Sequence, residues 1–324
     1  MSSNKCLMII NPRSGTASKR GLEWWATRRL AKSGIDLETV VTQAPGDAHR
    51  LARHAADAGY LGVIAAGGDG TVNEIASAIR GTKTALGIVP CGSGNGLARH
   101  LELTSDLNEA LDVIGSRHIE ACDCGEANGV SFFCTFGLGF DAAVSEKFAS
   151  SRRRGPLNYL KSVILEYTKF KPEEFEIETD NGYSFKFKAF IVAVCNASQY
   201  GNNAFIAPSA SIRDGLLDIT IVHSGTPLSR ALVGVDLFTG LIERNILIQT
   251  LRVKSAKIRT TSNKAHADGE PITINNEIKV DCIPGDLLIF TNEKKTPFRP
   301  MITPLKYFHR DFWARLRKLF EKHS

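Results

Sequence analysis

The 324-residue chain has no apolar run approaching the ~20 residues that a membrane-spanning helix needs, so an integral helical membrane protein is not expected. Its first apolar stretch, Cys6-Leu7-Met8-Ile9-Ile10 after Lys5, is too short for a secretory signal. It runs straight into Asn11-Pro12 and reads as a first strand. Cysteine has no pattern: seven are scattered, and the close pair Cys122 and Cys124 falls short of the four ligands of a structural zinc. Inert thiols in a reducing cytoplasm are the expectation. Repeats and low-complexity tracts are missing too. Basic residues are dispersed rather than interleaved with a stacking surface, which argues against a nucleic-acid partner.

What is present is an ordinary soluble composition, 43% hydrophobic and 23% charged, long enough for one large or two ordinary domains. The net charge of +6 suggests anionic partners. Through residue 103 apolar strands alternate with helical patterns: strand 5–10 and helix 20–32, strand 36–42 and a helix opened by Gly46-Asp47, then strand 61–66 and strand 85–90, each followed by a helix. Such alternation predicts a parallel, doubly wound α/β sheet. Ligands of such sheets bind beyond the carboxyl ends of the strands.

The loop after the third strand, Gly67-Gly68-Asp69-Gly70-Thr71, is where the chemistry is expected. Three glycines in four positions bring backbone N–H groups and a helix N-terminus within reach of a phosphate. Asp69 beside a phosphate requires a divalent cation or a proton between them. The competing reading makes Asp69-Gly70 a turn and Thr71 with Glu74 a capping box. Polar loops of small residues at 11–16, 42–47 and 92–96 share the same expected edge, where together they could build a nucleotide pocket.

Beyond residue 120 the texture changes. Strands are expected at 130–136, 175–179, 185–195, 217–222, 251–259, 272–274 and 287–290, with helices near 139–149, 156–169 and 228–239. Turns of the Asp-Gly, Asn-Gly and Pro-Gly type suggest an antiparallel sandwich as a second domain, with its boundary near 121–129. Asp214-Gly215-Leu216-Leu217-Asp218 is either a hairpin turn or a cation loop using Asp214, Asp218 and the Leu216 carbonyl. Asp268 and Glu270 fall on one face of an extended chain, making them either a candidate acid/base or magnesium pair or a solvated turn. The tail, 304–324, is a basic helix with Phe308, Phe312, Leu316, Leu319 and Phe320 on one side; it suits docking on a domain or a membrane surface. Arg152-Arg153-Arg154, ahead of the apolar residues 157–167, raises the same choice.

Taken in order, Asn11-Pro12-x-Ser14-Gly15, Thr42 with Gly46-Asp47-Ala48, Gly67-Gly68-Asp69-Gly70-Thr71-x-Asn73-Glu74 and Pro90-x-Gly92-Ser93-Gly94-Asn95 resemble the diacylglycerol kinase catalytic-domain family, which includes bacterial lipid kinases and the sphingosine and ceramide kinases. Gly139-Phe140-Asp141-Ala142, Asp214 to Asp218 and Asp268-Gly269-Glu270 extend the resemblance along nearly the whole chain. It implies an α/β nucleotide domain over 1–122, of the NAD kinase and phosphofructokinase kind, with a returning segment 296–324, and a β-sandwich over 123–295 serving a lipid substrate. The implied reaction passes the γ-phosphate of ATP, with Mg²⁺, to a lipid hydroxyl such as that of diacylglycerol or a sphingoid lipid. In that reading Asn11, Ser14, Gly15, Thr42, Gly67, Gly68, Gly70, Thr71, Glu74, Gly92, Ser93 and Asn95 bind the nucleotide, and Asp69 organises the metal. Asp268 takes the acceptor's proton with Glu270 in support, although Asp69 is the matching base in some members. Many bacterial members carry Asp where this chain has Gly96, a departure in the magnesium network. The implied setting is cytoplasmic, peripheral at the inner membrane face, and compatible with a homodimer. The rivals are a soluble-substrate kinase of the NAD kinase type and a non-catalytic nucleotide-sensing or membrane-binding protein.

Overall fold

The computed structural model describes residues 4–15, 19, 21–103, 106–150, 170–293 and 297–320. The chain divides into two compact units, one of residues 1–122, 285–297 and 302–324 and the other of 123–284 with 298–301. The expected helix over 156–169 and the basic run at 152–154 lie outside the described residues.

In the first unit β1 (Lys5–Ile10), β2 (Asp36–Val41), β3 (Gly62–Gly67) and β4 (Ala85–Pro90) form a parallel sheet in the order β4-β3-β1-β2. Every residue of β3 and β4 is buried, as central strands covered on both faces require. Alternation along β1 sends Cys6, Met8 and Ile10 to one face, where they pack with Leu22, Ala26 and Leu30 of α1 (Leu22–Ala31) and with Ala110, Leu111 and Ile114 of α5 (Leu107–Gly115). Helices α2 (Asp47–Asp57) and α3 (Asp69–Ile79) pack on each other and on β3, while α4 (Gly96–His100) is a single turn after the fourth loop. The sheet is thus doubly wound. The capping box expected at Thr71 is not there: α3 already begins at Asp69, two residues earlier, and Thr71 is a buried helical residue.

In the second unit the ladder runs antiparallel in the order β14 (Glu270–Thr273), β13 (Lys264–Ala267), β7 (Thr135–Gly139), β9 (Ser184–Cys195), β8 (Glu173–Thr179), β12 (Ser255–Thr260) and the start of β15 (Glu277–Phe290). The first half of β9 pairs with β8; its second half lies between β7 and β10 (Leu217–His223), and β11 (Ile248–Val253) follows on β10. Phe132, Phe136, Ile177, Val192, Ile219, Ile258 and Val280 bury their side chains in one core, the packed interior of a sandwich. β5 (Ile119–Ala127) and β6 (Val130–Phe132) form a hairpin through Asn128-Gly129, both at positive φ. Outside the sheets lie α6 (Phe140–Ser150) and α7 (Pro227–Thr239).

Two expected strands prove to be pairs. The run at 130–136 breaks after Phe132 into β6 and β7, and that at 251–259 breaks at Lys254 into β11 and β12. Strands β5 and β13 escape a reading by periodicity. Lys264-Ala265-His266-Ala267 lacks β-branched residues and is held by ladders on both sides.

The end of β15 returns to the first unit, with Ile289 beside Leu86 in parallel. The tail helix α8 (Ile302–Phe320) begins two residues before Pro304. Among the described residues no helix is long and apolar enough to cross a membrane.

Candidate active site

The four polar loops of the first unit follow β1, β2, β3 and β4, and because those strands are parallel the loops share one edge. They interlock there through backbone. A Cβ on Gly15, which has φ +64°, would lie 1.8 Å from the Cys91 carbonyl oxygen, and one on Gly92 would lie 2.6 Å from the Gly68 Cα. On Gly67 it would meet Thr71 at 2.5 Å, and on Gly94 it would meet Asp69 Oδ2 at 2.7 Å. A side chain at Gly15, Gly92 or Gly94 would force the loops apart, and one at Gly67 would collide with the first turn of α3. Asn11 Nδ2 donates to Thr71 Oγ1 at 3.0 Å, which ties the first loop to the first turn of α3. Ser14 Oγ donates to the Asn11 carbonyl at 3.1 Å, and Thr42 N–H donates to Ile10 at 3.0 Å, continuing the β1–β2 ladder into the second loop.

Asp69 opens α3, where the helix dipole favours a negative charge. Its Oδ2 accepts the Asn95 N–H at 2.8 Å and its Oδ1 the Gly96 N–H at 2.6 Å, so the fourth loop is fastened onto the third. Asn95 sits at φ 52°, a conformation that asparagine tolerates, and closes its own loop by exchanging side-chain bonds with the Gly92 N–H and C=O at 3.0 and 2.9 Å. Gly96 therefore contributes a backbone donor to Asp69 and no side chain. Gly70 and Glu74 lie within α3, and Ser93 is exposed at the tip of the fourth loop.

Sequence reasoning misses two cations here. Lys19 Nζ donates to the carbonyls of Asn11 and Ser14 at 2.5 and 2.6 Å and to Ser14 Oγ at 2.9 Å; burial lowers its pKa. Arg99, 8% exposed, donates to the Gly94 carbonyl at 2.9 Å and pairs with Asp311 of α8 at 2.5 Å. No motif marks Lys19, and the partner of Arg99 lies 212 residues away. Asp47, part of the recognised pattern, serves the second loop's own structure. Its Oδ2 accepts N–H groups from Gln43 and Ala44, which hold its carboxyl below the usual range.

In the second unit Asp268-Gly269 is the two-residue turn joining β13 and β14, with φ of 50° and 87°, the type I′ geometry. The chain is not extended there, so Asp268 and Glu270 do not present one face. The Asp268 carboxylate accepts N–H groups of Phe133 at 2.9 Å, Cys134 at 2.7 Å and Thr135 at 3.0 Å, whereas Glu270 is exposed. These donors are the backbone groups that the break between β6 and β7 releases from the ladder.

The loop at 214–218, which the sequence left as either a hairpin turn or a cation loop, takes a guanidinium. Arg252 bonds both Asp214 and Asp218, the latter at 3.2 Å. Asp214 Oδ1 accepts the Leu216 N–H at 3.1 Å, and the Gly215 N–H donates at 2.8 Å to Asp123, a buried carboxylate that no motif marks. Asp218 Oδ2 is buried without a hydrogen-bond partner, and burial pushes the Asp218 carboxyl up to about 6 against the pull of Arg252. Among the described residues no three His, Cys, Asp or Glu side chains cluster as a metal site.

Residues 5–127 match the diacylglycerol kinase catalytic domain, and residues 135–291 match the YegS C-terminal, NAD kinase β-sandwich-like domain. A YegS-like lipid kinase of Chromohalobacter salexigens is 31% identical over 275 residues, which cover 83% of this chain and 88% of that protein. The chain belongs to the diacylglycerol kinase family of lipid kinases. A diacylglycerol kinase of Mycobacterium tuberculosis is 28% identical over 275 residues, covering 82% of this chain and 88% of the relative. A crystal structure of a diacylglycerol kinase from Bacillus anthracis shares the fold, with a TM-score of 0.68 over 90% of this chain and 98% of that one at 21% identity. The interlocked glycine loops and the fastened Asp69 are therefore features of a lipid kinase catalytic domain, and the sandwich is the family's second domain.

Proposed function

We propose that this lipid kinase transfers the γ-phosphoryl group of ATP, in the presence of Mg²⁺, to a hydroxyl of a membrane lipid such as diacylglycerol or a sphingoid lipid. The observation that carries the reading is the loop edge of the first unit, where glycines stripped of side chains meet backbone to backbone around an anchored carboxylate. Gly67, Gly68, Gly70 and Thr71 present N–H and hydroxyl donors to phosphate, with Asn11, Ser14, Gly15, Thr42, Glu74, Gly92, Ser93 and Asn95 completing the nucleotide site. Lys19 adds positive charge as it exchanges its carbonyl partners for phosphate oxygens.

Asp69 is the residue fitted to hold Mg²⁺. That ion takes one or two carboxylates and fills its remaining positions with water and phosphate oxygens, so a lone carboxylate beside a phosphate site suffices. When bound, the ion neutralises charge on the transferring phosphoryl group. The loop at 214–218 does not fit a metal in the same way, because Arg252 already supplies the positive charge between its two carboxylates. Asp268 takes the proton of the acceptor hydroxyl, its carboxylate fixed in place by three backbone donors.

A lipid acceptor brings the protein to a membrane surface. The tail helix α8 buries Thr303, Pro304 and Tyr307, and it leaves Leu305, Phe308, Phe312 and Trp313 about half exposed or more. Among the described residues these exposed apolar side chains are thus not the ones used for packing, and they are suited to the interface.

The test is transfer of label from ATP to diacylglycerol, phosphatidylglycerol, ceramide and sphingoid bases in vesicles, with Mg²⁺ and with chelator. Magnesium-dependent labelling of at least one lipid is expected. Labelling of NAD and of no lipid would replace the reading with that of a soluble-substrate kinase.

A further inference from the structure

Behind the Asp268 turn lies a buried polar chain that the phosphoryl-transfer reading leaves unused. His266 on β13 is 2% exposed. Its Nδ1 accepts the Gly269 N–H at 3.2 Å. A backbone N–H can only donate, so Nδ1 carries no proton and a neutral ring has its hydrogen on Nε2. That nitrogen lies 3.3 Å from Asp141 Oδ2 on α6, within ion-pair distance. The same oxygen accepts the Tyr200 hydroxyl at 2.9 Å, and Oδ1 accepts the Ala142 N–H at 2.9 Å.

The meeting place is itself built. Gly137 stands opposite His266 on β7, and a Cβ there would lie 2.2 Å from both Asp141 Oδ2 and His266 Nε2. Only glycine lets the two polar groups approach over the sheet. The neighbouring charges are Glu173 of β8, whose pKa burial and Asp141 both raise, and the Lys264–Glu146 ion pair at 2.6 Å.

We propose that Tyr200, Asp141 and His266 form a positioning relay that locks one imidazole tautomer and, through the Gly269 N–H, holds the Asp268-Gly269 turn in register. The inference rests on the reading of Asp268 as the proton acceptor. Asp268 and Gly269 are a pair that the type I′ turn favours, so what the turn takes from outside is a fixed orientation rather than a forced backbone. The Gly269 bond supplies it one residue from the carboxylate. Without that bond the turn keeps its ladder and the Asp268 N–H bond to Thr135 but loses the restraint nearest the carboxylate, which then shifts against the Phe133 to Thr135 donors.

The relay makes a demand that mere filling of space does not. Asn at position 266 places an acceptor near the Nδ1 position, whereas Gln reaches the Nε2 position and keeps only the link to Asp141. His266→Asn is therefore expected to retain kcat within about threefold, and His266→Gln to lose about tenfold in kcat, the weight of one buried hydrogen bond, with KM for ATP unchanged in both. Equal losses in the two variants would overturn the relay. A second readout needs no activity: in the full chain with ¹⁵N-labelled histidine, the resonance missing from His266→Asn should report the Nε2–H neutral tautomer. An Nδ1–H or cationic ring at neutral pH would overturn the proposal. If the tautomer is found and Asp268→Asn still turns over at the wild-type rate, the relay stands and the base assignment alone falls.

Discussion

Asp69 in the first unit and Asp268 in the second are both carboxylates whose oxygens accept backbone N–H groups, two in one case and three in the other. Their surroundings differ in kind. Around Asp69 the chain has discarded side chains, and Gly15, Gly67, Gly92 and Gly94 approach so closely that any Cβ would collide. Around Asp268 the position is set by bonds, a type I′ turn on one side and three freed strand donors on the other. The first arrangement makes room for a guest to reach the backbone; the second holds one side chain still. A surface that admits a guest and a side chain held in one place put different requirements on a polypeptide, and they call for different residues.

The sharpest way to break the comparison is to neutralise each carboxylate in turn. Asp268→Asn should lower turnover by about 100- to 10,000-fold, the range of a lost general base, with ATP affinity unchanged by calorimetry. Asp69→Asn should instead remove the magnesium dependence of ATP binding. Near-normal turnover of Asp268→Asn would reduce that residue to a fastener between the hairpin and the start of β7. Its loss would then be felt only in unfolding, by roughly 1–3 kcal/mol for donors left without a full partner.

Next in size is the glycine packing. Gly15→Ala and Gly92→Ala should each cost about 100-fold in kcat/KM, since separating the loops by an ångström misplaces the phosphate. Gly234→Ala on α7, where an added Cβ meets nothing within 4 Å, is the control and should leave kcat/KM unchanged. Comparable losses in all three would show that the loop edge is not where the nucleotide sits.

Much of this was legible in the chain. The β/α alternation and the glycine loops located the edge at which the four loops meet, because burial on both faces and the need for φ freedom leave marks in residue type. The Asp-Gly turn was visible at 268–269, yet its effect on Glu270 was not: the extended-chain assumption put both carboxylates on one face, and the positive φ values separate them. Arg252, Arg99 and Asp123 were illegible for another reason. Their partners are set by which strands and helices meet, as when Asp218 on β10 draws Arg252 from the register-paired position on β11. Gly137 meets His266 likewise through register, and although Asp141 stood in a marked motif, nothing in the sequence paired it with His266.

A third carboxylate gives the smallest and cleanest contrast. Asp218 is buried like a core residue, pairs with one guanidinium and leaves Oδ2 without a bond, so burial raises its pKa to about 6 from an ordinary 3.8. A carboxylate raised in the folded state holds its proton more tightly there than in the unfolded chain. Its contribution is therefore most favourable below pH ~4, falls as the pH rises through 4 to 6, and is absent above it, a swing of about 2–3 kcal/mol at most. Urea unfolding of Asp218→Asn should remove that part of the pH slope, with the variant gaining relative to wild type at pH 7 more than at pH 5. Arg252→Gln should steepen the slope, because it takes away the one group that opposes the shift. If instead the slope is the same in Asp218→Asn as in wild type, the carboxylate is charged in both states and its free oxygen has a partner, which would reopen the loop at 214–218 to a bound cation.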